Sequence, residues 1–332
     1  MPTTDHCERA VRKGIEWLLS QQNSDGSMDP VEQGVGGYYK VPYAFALTGH
    51  GVAGCRLLDW VRENNFTGAG DFSGRFPRMG PHETYYHYAN SWLVCGAQKL
   101  GQFDLAYRGC DYLLSLQDET GGFPTLGPNA RPGHSSDLMS TPVAALACLY
   151  VGHLEAARRT GELLARVLDE QPSPEGKLYF IRKPSGLVTA FGADEATSHV
   201  IDTSKEKQWY FICGVCAAFL VHLCRATSSG RYLEVAKRYI DFIPRCHEDR
   251  YSTPQSGKLA WGGALLYGLT GDDEYARMAR AVGDYLADTQ HDDGTWRNPA
   301  VDPTARYVTM DVTAEFVVLL AEMMQGLGMG GR

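Results

Sequence analysis

One phrase recurs along this chain and restricts what it can fold into. It is the end of an amphipathic segment, then a glutamine, a few polar residues, a glycine and a large apolar side chain. It reads EWLLSQQNSDGSM with Gln22 and Gly26, DYLLSLQDETGGF with Gln117, Gly121 and Phe123, and DYLADTQHDDGTW with Gln290, Gly294 and Trp296. Looser copies end at Gln171, ahead of Tyr179, and at Asn64 in NNFTGAGDF. A glycine just past a helix supplies the left-handed conformation that stops it. The glutamine amide is expected to bond the unpaired carbonyls of the last turn, with the apolar side chain covering the junction. A unit repeating every roughly 40 to 55 residues marks a stacked or closed array of helical hairpins.

Helical patterns fall near 7–21, 41–49, 52–64, 84–100, 103–117, 137–151, 154–169, 206–227, 231–245, 257–270, 273–289 and 309–326. From the second onward they come in pairs joined by very short turns, which makes the two members antiparallel neighbours. The first member is apolar nearly all round, as in YANSWLVCGAQ and TPVAALACLYVG. The second carries a charged face, as in LEAARRTGELLARVLDEQ. A helix buried on every side belongs inside, and one with a polar face belongs outside. The helix at 309–326 lacks an outer partner and the helix at 7–21 lacks an inner one, so each completes the other if the chain closes. The expectation is an all-α fold, a single (α/α)6 toroid domain over 1–332. One segment departs from the rhythm: 177–191 alternates around Lys183-Pro184-Ser185-Gly186 as a β-hairpin. With the loop at 192–205 it is the candidate lid.

Composition excludes several partners. The 332 residues carry a net charge of −8 with scattered basic residues, which argues against a nucleic-acid surface. No run of about 18 apolar residues is present, so no membrane span is expected. The N-terminus enters a helix without an apolar signal core, and most of the nine cysteines lie in apolar helical runs. Both features suit a cytoplasmic protein with reduced thiols. Cys213 and Cys216 form a CxxC without a second pair at zinc spacing, and no glycine-rich phosphate loop or HExxH occurs. No metal and no cofactor are expected. The partner is a small-molecule substrate; nothing in the sequence bears on oligomeric state.

In a hairpin ring the N-terminal ends of the inner helices surround the mouth of the central cavity. That placement nominates Tyr39, Lys40, Tyr43, His82, Glu83, Asn90, His134, Asp137, Trp209, Tyr210 and Trp261 as substrate-binding residues, with Lys258 on the same rim. Asp311 and Glu315 share one face of an otherwise apolar helix. In such surroundings one of them should hold a proton near neutrality and serve as a general acid. Tyr86 and Asp202 are further catalytic candidates. Asp202, Asp137 and Glu83 each sit just before or within a first helical turn, which favours a helix-cap role for each taken alone.

The glutamine–glycine–aromatic phrase on twelve paired helices resembles the terpenoid cyclase and protein prenyltransferase toroids. The cyclase acid motif DxDD is absent, the aspartates of VIDTS and TMDVT standing singly. WGGALLYGLTGDDEYARMARAVGDYLADTQHDDGTW also resembles segments of six-hairpin sugar enzymes such as unsaturated glucuronyl hydrolases. The first resemblance implies a cyclase, isomerase or lyase acting on an apolar terpenoid- or polyketide-like intermediate. The second implies a glycoside hydrolase, lyase or epimerase acting on uronic or unsaturated sugars, with Lys40, Lys207 and Lys258 as candidates to hold the carboxylate. A non-catalytic scaffold toroid is the third alternative.

Overall fold

The computed structural model describes residues 2–31, 35–73, 75, 81–125, 134–297 and 305–329. Helix α1 (Pro2–Ser20) and a single turn, α2 (Val35–Tyr38), precede the first hairpin, α3 (Val41–Leu47) and α4 (Gly51–Asn64). Another single turn, α5 (Pro81–Thr84), leads into α6 (Tyr86–Lys99) and α7 (Phe103–Leu114). The later hairpins are α8 (Ser140–Val151) with α9 (Leu154–Asp169), α10 (Phe211–Thr227) with α11 (Gly230–Asp241), and α12 (Gly257–Thr270) with α13 (Asp273–Asp288). Helix α14 (Arg306–Met329) stands last.

Burial sorts these helices as their sequences require. In α8 nine consecutive residues from Ser140 to Cys148 are buried, whereas α9 buries one face and exposes charge on the other. Inner helices pack in the cycle α3–α6–α8–α10–α12–α14, and α14 returns to α3. Outer helix α1 lies against α14 and α13. The fold is the (α/α)6 toroid, and the seam lies where the sequence places it.

The recurring phrase is what ties one outer helix to the next. The Gln22 amide donates to the Ala53 carbonyl of α4 at 2.9 Å, Gln117 to Ala156 of α9 at 2.9 Å, and Gln290 to Ala10 of α1 at 2.8 Å. Each also donates to the carbonyl of its own loop glycine, Gly26, Gly121 or Gly294. The expected bond to a carbonyl of the copy's own last turn is therefore found in the two looser copies, where Gln171 donates to Val167 and Asn64 to Trp60. Elsewhere the amide crosses to the neighbouring hairpin, because the neighbour's backbone lies within reach. The glycine permits that approach: a Cβ at Gly294 (φ +86) would fall 2.5 Å from the Lys13 carbonyl oxygen. Trp296 seals the junction, its indole N–H donating to the Leu286 carbonyl at 2.6 Å.

The non-helical excursion differs from a simple hairpin. Strand β1 (Ser136–Asp137) follows α7; β2 (Lys177–Tyr179), β3 (Ile181–Lys183), β4 (Gly186–Leu187) and β5 (Val200–Asp202) follow α9. The hairpin at Lys183–Gly186 is present as β3–β4, but β3 also pairs with β1 and β2 pairs with β5. Alternation in sequence reports an extended chain and leaves its partner open. Here the nearest free edges belong to residues before α8 and before α10.

Gly294 and Gly49 both sit at positive φ, but no atom lies within 4 Å of a Cβ at Gly49. Gly49→Ala should cost about 1–2 kcal/mol, the strain of the left-handed backbone alone. Gly294→Ala should cost more, because it also pushes α1 away from the loop. Denaturant titration of the two variants measures the difference; equal losses would mean that the loop–helix contact is slack.

Candidate active site

The helix ends that the ring brings together enclose a cavity of about 350 Å3. Tyr39, Lys40, His82, Tyr88, Lys258, Asp311 and Glu315 form its polar side. Tyr85, Met139, Trp209, Phe211 and Phe316 form its apolar side, with Pro254 and Gln255 at the edge. Two outer-wall clefts, about 540 and 290 Å3, run along α11 and bring no comparable constellation together.

The polar side is built across the seam. Lys40, at the start of α3, donates to Asp311 at 2.8 Å and to Glu315, both on α14. Lys258, in the first turn of α12, donates to the other Glu315 oxygen. Lys258 reaches this position because α10 and α12 pack backbone against backbone. A Cβ at Gly214 would lie 2.2 Å from the Lys258 carbonyl carbon. His82 Nε2 lies 3.6 Å from the free Asp311 oxygen. The Lys40 ammonium sits 4.8 Å from the Tyr39 ring centre, and that of Lys258 sits 4.9 Å from the Phe211 ring centre. Both lysine side chains are almost fully buried, at 2% and 4% exposed, while Asp311 and Glu315 keep 18% and 20%, the exposure of side chains that line a cavity.

The protonation pattern corrects the sequence expectation. Burial pushes the Asp311 carboxyl upward, but Lys40 and His82 outweigh it and hold it well below the usual carboxylate range. Glu315 is likewise held down, burial and Asp311 being overcome by Lys258 and Lys40. Neither carboxylate keeps a proton near neutrality, so the pair is not the general acid that its apolar helix suggested. The lysines show the converse: burial lowers them, yet the two carboxylates raise Lys40 well above its ordinary value, and Glu315 raises Lys258. The hydroxyls of Tyr39 and Tyr88 make no hydrogen bond to any described residue and belong to the cavity wall.

Of the residues nominated from sequence, Tyr39, Lys40, His82, Trp209, Lys258, Asp311 and Glu315 meet at the cavity. The others do not. Tyr86 and Asn90 both donate to Asp71, at 2.9 and 2.8 Å, because their helical phase turns them away from Tyr85 and Tyr88. Asp137 caps α8, accepting from the Met139 and Ser140 amides and from the Thr125 hydroxyl. Asp202 accepts from Ser204 and faces Lys177. Tyr210 donates to Asp249 at 2.7 Å. Glu83 and His134 are exposed. Tyr43 and Trp261 lie one turn deeper than Lys40 and Lys258. There Tyr43 donates to the buried Glu322 at 2.5 Å, close to Tyr150, His222 and Trp92. Residues 177–203 do not line the cavity; Phe180 instead stacks behind Trp209, 5.9 Å between ring centres. That segment is a buttress for the aromatic wall rather than the expected lid. Sequence reading passed over Tyr88, Phe211, Gln255 and Phe316, and read Lys258 as a holder of a substrate carboxylate without its partner Glu315.

A scan against protein-family models finds no match, and a search of curated proteins finds none. Solved structures do match over nearly the whole chain. A D-mannose isomerase superposes with a TM-score of 0.69 at 11% identity, covering 96% of this chain and 97% of the other. A type II terpene cyclase from Scytonema, in complex with geranylgeranyl dihydroxybenzoate, gives 0.63 at 11% identity, covering 98% and 99%. An unsaturated glucuronyl hydrolase specific for heparin gives 0.62 at 9% identity, covering 97% of each. These are likenesses of fold. No helix among the described residues is long and apolar enough to cross a membrane.

Lys40→Met should strip two carboxylates of a shared buried cation and cost about 3–5 kcal/mol at neutral pH. The sign of its pH dependence follows from the shifts. The carboxylates, depressed in the fold, stabilise above about pH 4, and that contribution is lost as pH falls through their folded values. The lysines, raised in the fold, stabilise below about pH 10, and that contribution is lost at higher pH. The deficit of the variant should therefore be widest between these limits and shrink toward pH 4, where its orphaned carboxylates take up protons. Urea titrations at pH 4 and pH 7 check this; an equal deficit at both would show that the ion pairs contribute nothing net.

Proposed function

We propose that this cavity moves protons next to the carbonyl carbon of a small polyhydroxylated substrate of the sugar class, as an isomerase, epimerase or lyase. The observation that carries the reading is the pairing of two ionised carboxylates with two buried ammonium groups inside one small, half-aromatic cavity. Glu315 and the Asp311–His82 pair stand as proton acceptors, and His82 facing a carboxylate is an orientation suited to carrying a proton. When a C–H proton leaves, its electron pair moves onto the carbonyl oxygen. Lys258, Lys40 and the free phenols of Tyr39 and Tyr88 supply the donors that stabilise that developing oxyanion. The proton then returns to the neighbouring carbon, to the opposite face, or stays behind while a β-substituent departs. Trp209 and Tyr85 offer aromatic faces to the C–H side of a sugar ring. The isomerase and glucuronyl hydrolase with this fold act on substrates of that class by their names.

The cyclase reading keeps one observation in its favour, the apolar wall of Tyr85, Trp209, Phe211 and Phe316. It needs a protonated acid to start the reaction; the lysines hold Asp311 and Glu315 ionised, which leaves that reading the deeper Glu322, pushed up by burial.

Incubation in D2O with a panel of aldoses and ketoses should place deuterium next to the carbonyl, read by NMR. Asp311→Asn or Glu315→Gln should slow that exchange about 10²- to 10⁴-fold. Asp202→Asn, outside the cavity, should leave it unchanged. No exchange with any sugar, together with turnover of an isoprenoid substrate, would replace this reading by the cyclase one.

A further inference from the structure

The cavity offers more donors than its own acceptors use. Lys258 makes a single hydrogen bond among the described residues, to Glu315, which leaves two of its three protons. Lys40 spends two protons, on Asp311 and Glu315. The Tyr39 and Tyr88 hydroxyls and the Gln255 amide spend none. Every cavity carboxylate, by contrast, is already engaged by nitrogen groups: Asp311 by the Lys40 ammonium and the His82 ring, and Glu315 by Lys258 and Lys40. Each hydroxyl of a neutral polyol brings a proton that must itself find an acceptor along with its own lone pairs. An anionic oxygen pair brings acceptors only.

We infer that the substrate carries a carboxylate, that Lys258 is its specificity-determining partner, and that its arrival frees Glu315 to act as the base. This rests on the proton-transfer reading of the same cavity. Lys258 is the cation placed to do this. It stands 4.9 Å from the Phe211 ring centre and 5.9 Å from that of Tyr88, on the boundary between the polar and apolar sides. A carboxylate docking there competes with Glu315 for the same ammonium. Glu315 loses one of its two cations and gains a like-charged neighbour, and both changes raise its basicity. It then takes the proton from carbon, becoming a carboxylic acid, while the electron pair passes to the carbonyl oxygen. Returning the proton restores the Lys258–Glu315 pair. Empty, the site keeps its base neutralised; a substrate without the anionic group leaves it so.

The test compares D-glucuronate with D-glucose, which differ only in the carboxylate. Deuterium incorporation and thermal shift are measured on the full chain and on Lys258→Met and Lys258→Arg. The wild type should favour glucuronate over glucose in exchange by about 10- to 100-fold, the range of a charge-assisted hydrogen bond. Lys258→Met should slow both sugars through the lost oxyanion donor but glucuronate more, bringing that ratio close to one, and Lys258→Arg should restore most of it. Should Lys258→Met fold poorly, the charge-balanced Lys258→Met/Glu315→Gln variant is read by thermal shift alone and should lose its response to glucuronate. Equal exchange of glucose and glucuronate by the wild type, or a ratio that survives Lys258→Met, overturns the inference while the proton-transfer reading stands. Lysine-dependent stabilisation by glucuronate without any exchange keeps the carboxylate subsite and overturns the proton-transfer reading instead.

Discussion

Everything in this fold waits on one seam. Five hairpins can be laid side by side from local contacts, but the two ends of the array remain raw, an inner helix lacking its outer cover and an outer helix lacking its inner one. Docking α1 on α14 and α13 removes both faces from water at once, and the Gln290 amide fixes the register by reaching the Ala10 carbonyl 280 residues away. The same staple at Gln22 and Gln117 is a local matter of 31 and 39 residues. The last copy does equal chemical work at far greater loop entropy, which only the burial of a whole helix face can offset.

Ring closure also explains why the cavity tolerates charge. Two lysines and two carboxylates in an apolar surround would be ruinous singly. Supplied together from α3, α12 and α14 they neutralise one another, and the aromatic rings around them spread over the remaining field. Packing sets which charges meet. Glycines 214 and 262 let α10 and α12 touch through their backbones, and that contact carries Lys258 inward to Glu315.

The sequence showed the architecture because periodicity and turn length are local properties. Inner and outer helices differ in composition, and the unpartnered members at either end imply closure. It showed Asp311 and Glu315 as a facing pair for the same reason. It did not show their state, since the deciding cations lie 271 and 57 residues away in sequence. Helical phase was the other blind spot. Tyr85, Tyr86 and Tyr88 are near neighbours on one short stretch, yet two face the cavity and one bonds Asp71. Depth was the third: Tyr43 and Trp261 lie one turn further in than Lys40 and Lys258, where Tyr43 donates to Glu322.

Lys40 and its two carboxylates belong to opposite sides of the seam, so the groups that would meet a ligand are also the groups that hold the ring shut. Occupancy and closure then share one free energy. A molecule that draws Lys40 and α14 together tightens the circle, and whatever loosens the circle weakens the molecule's hold by the same factor. Affinity in such a protein is a gauge of its own integrity: a substitution on the far outer wall can be felt in the cavity without touching it, simply by letting the circle breathe.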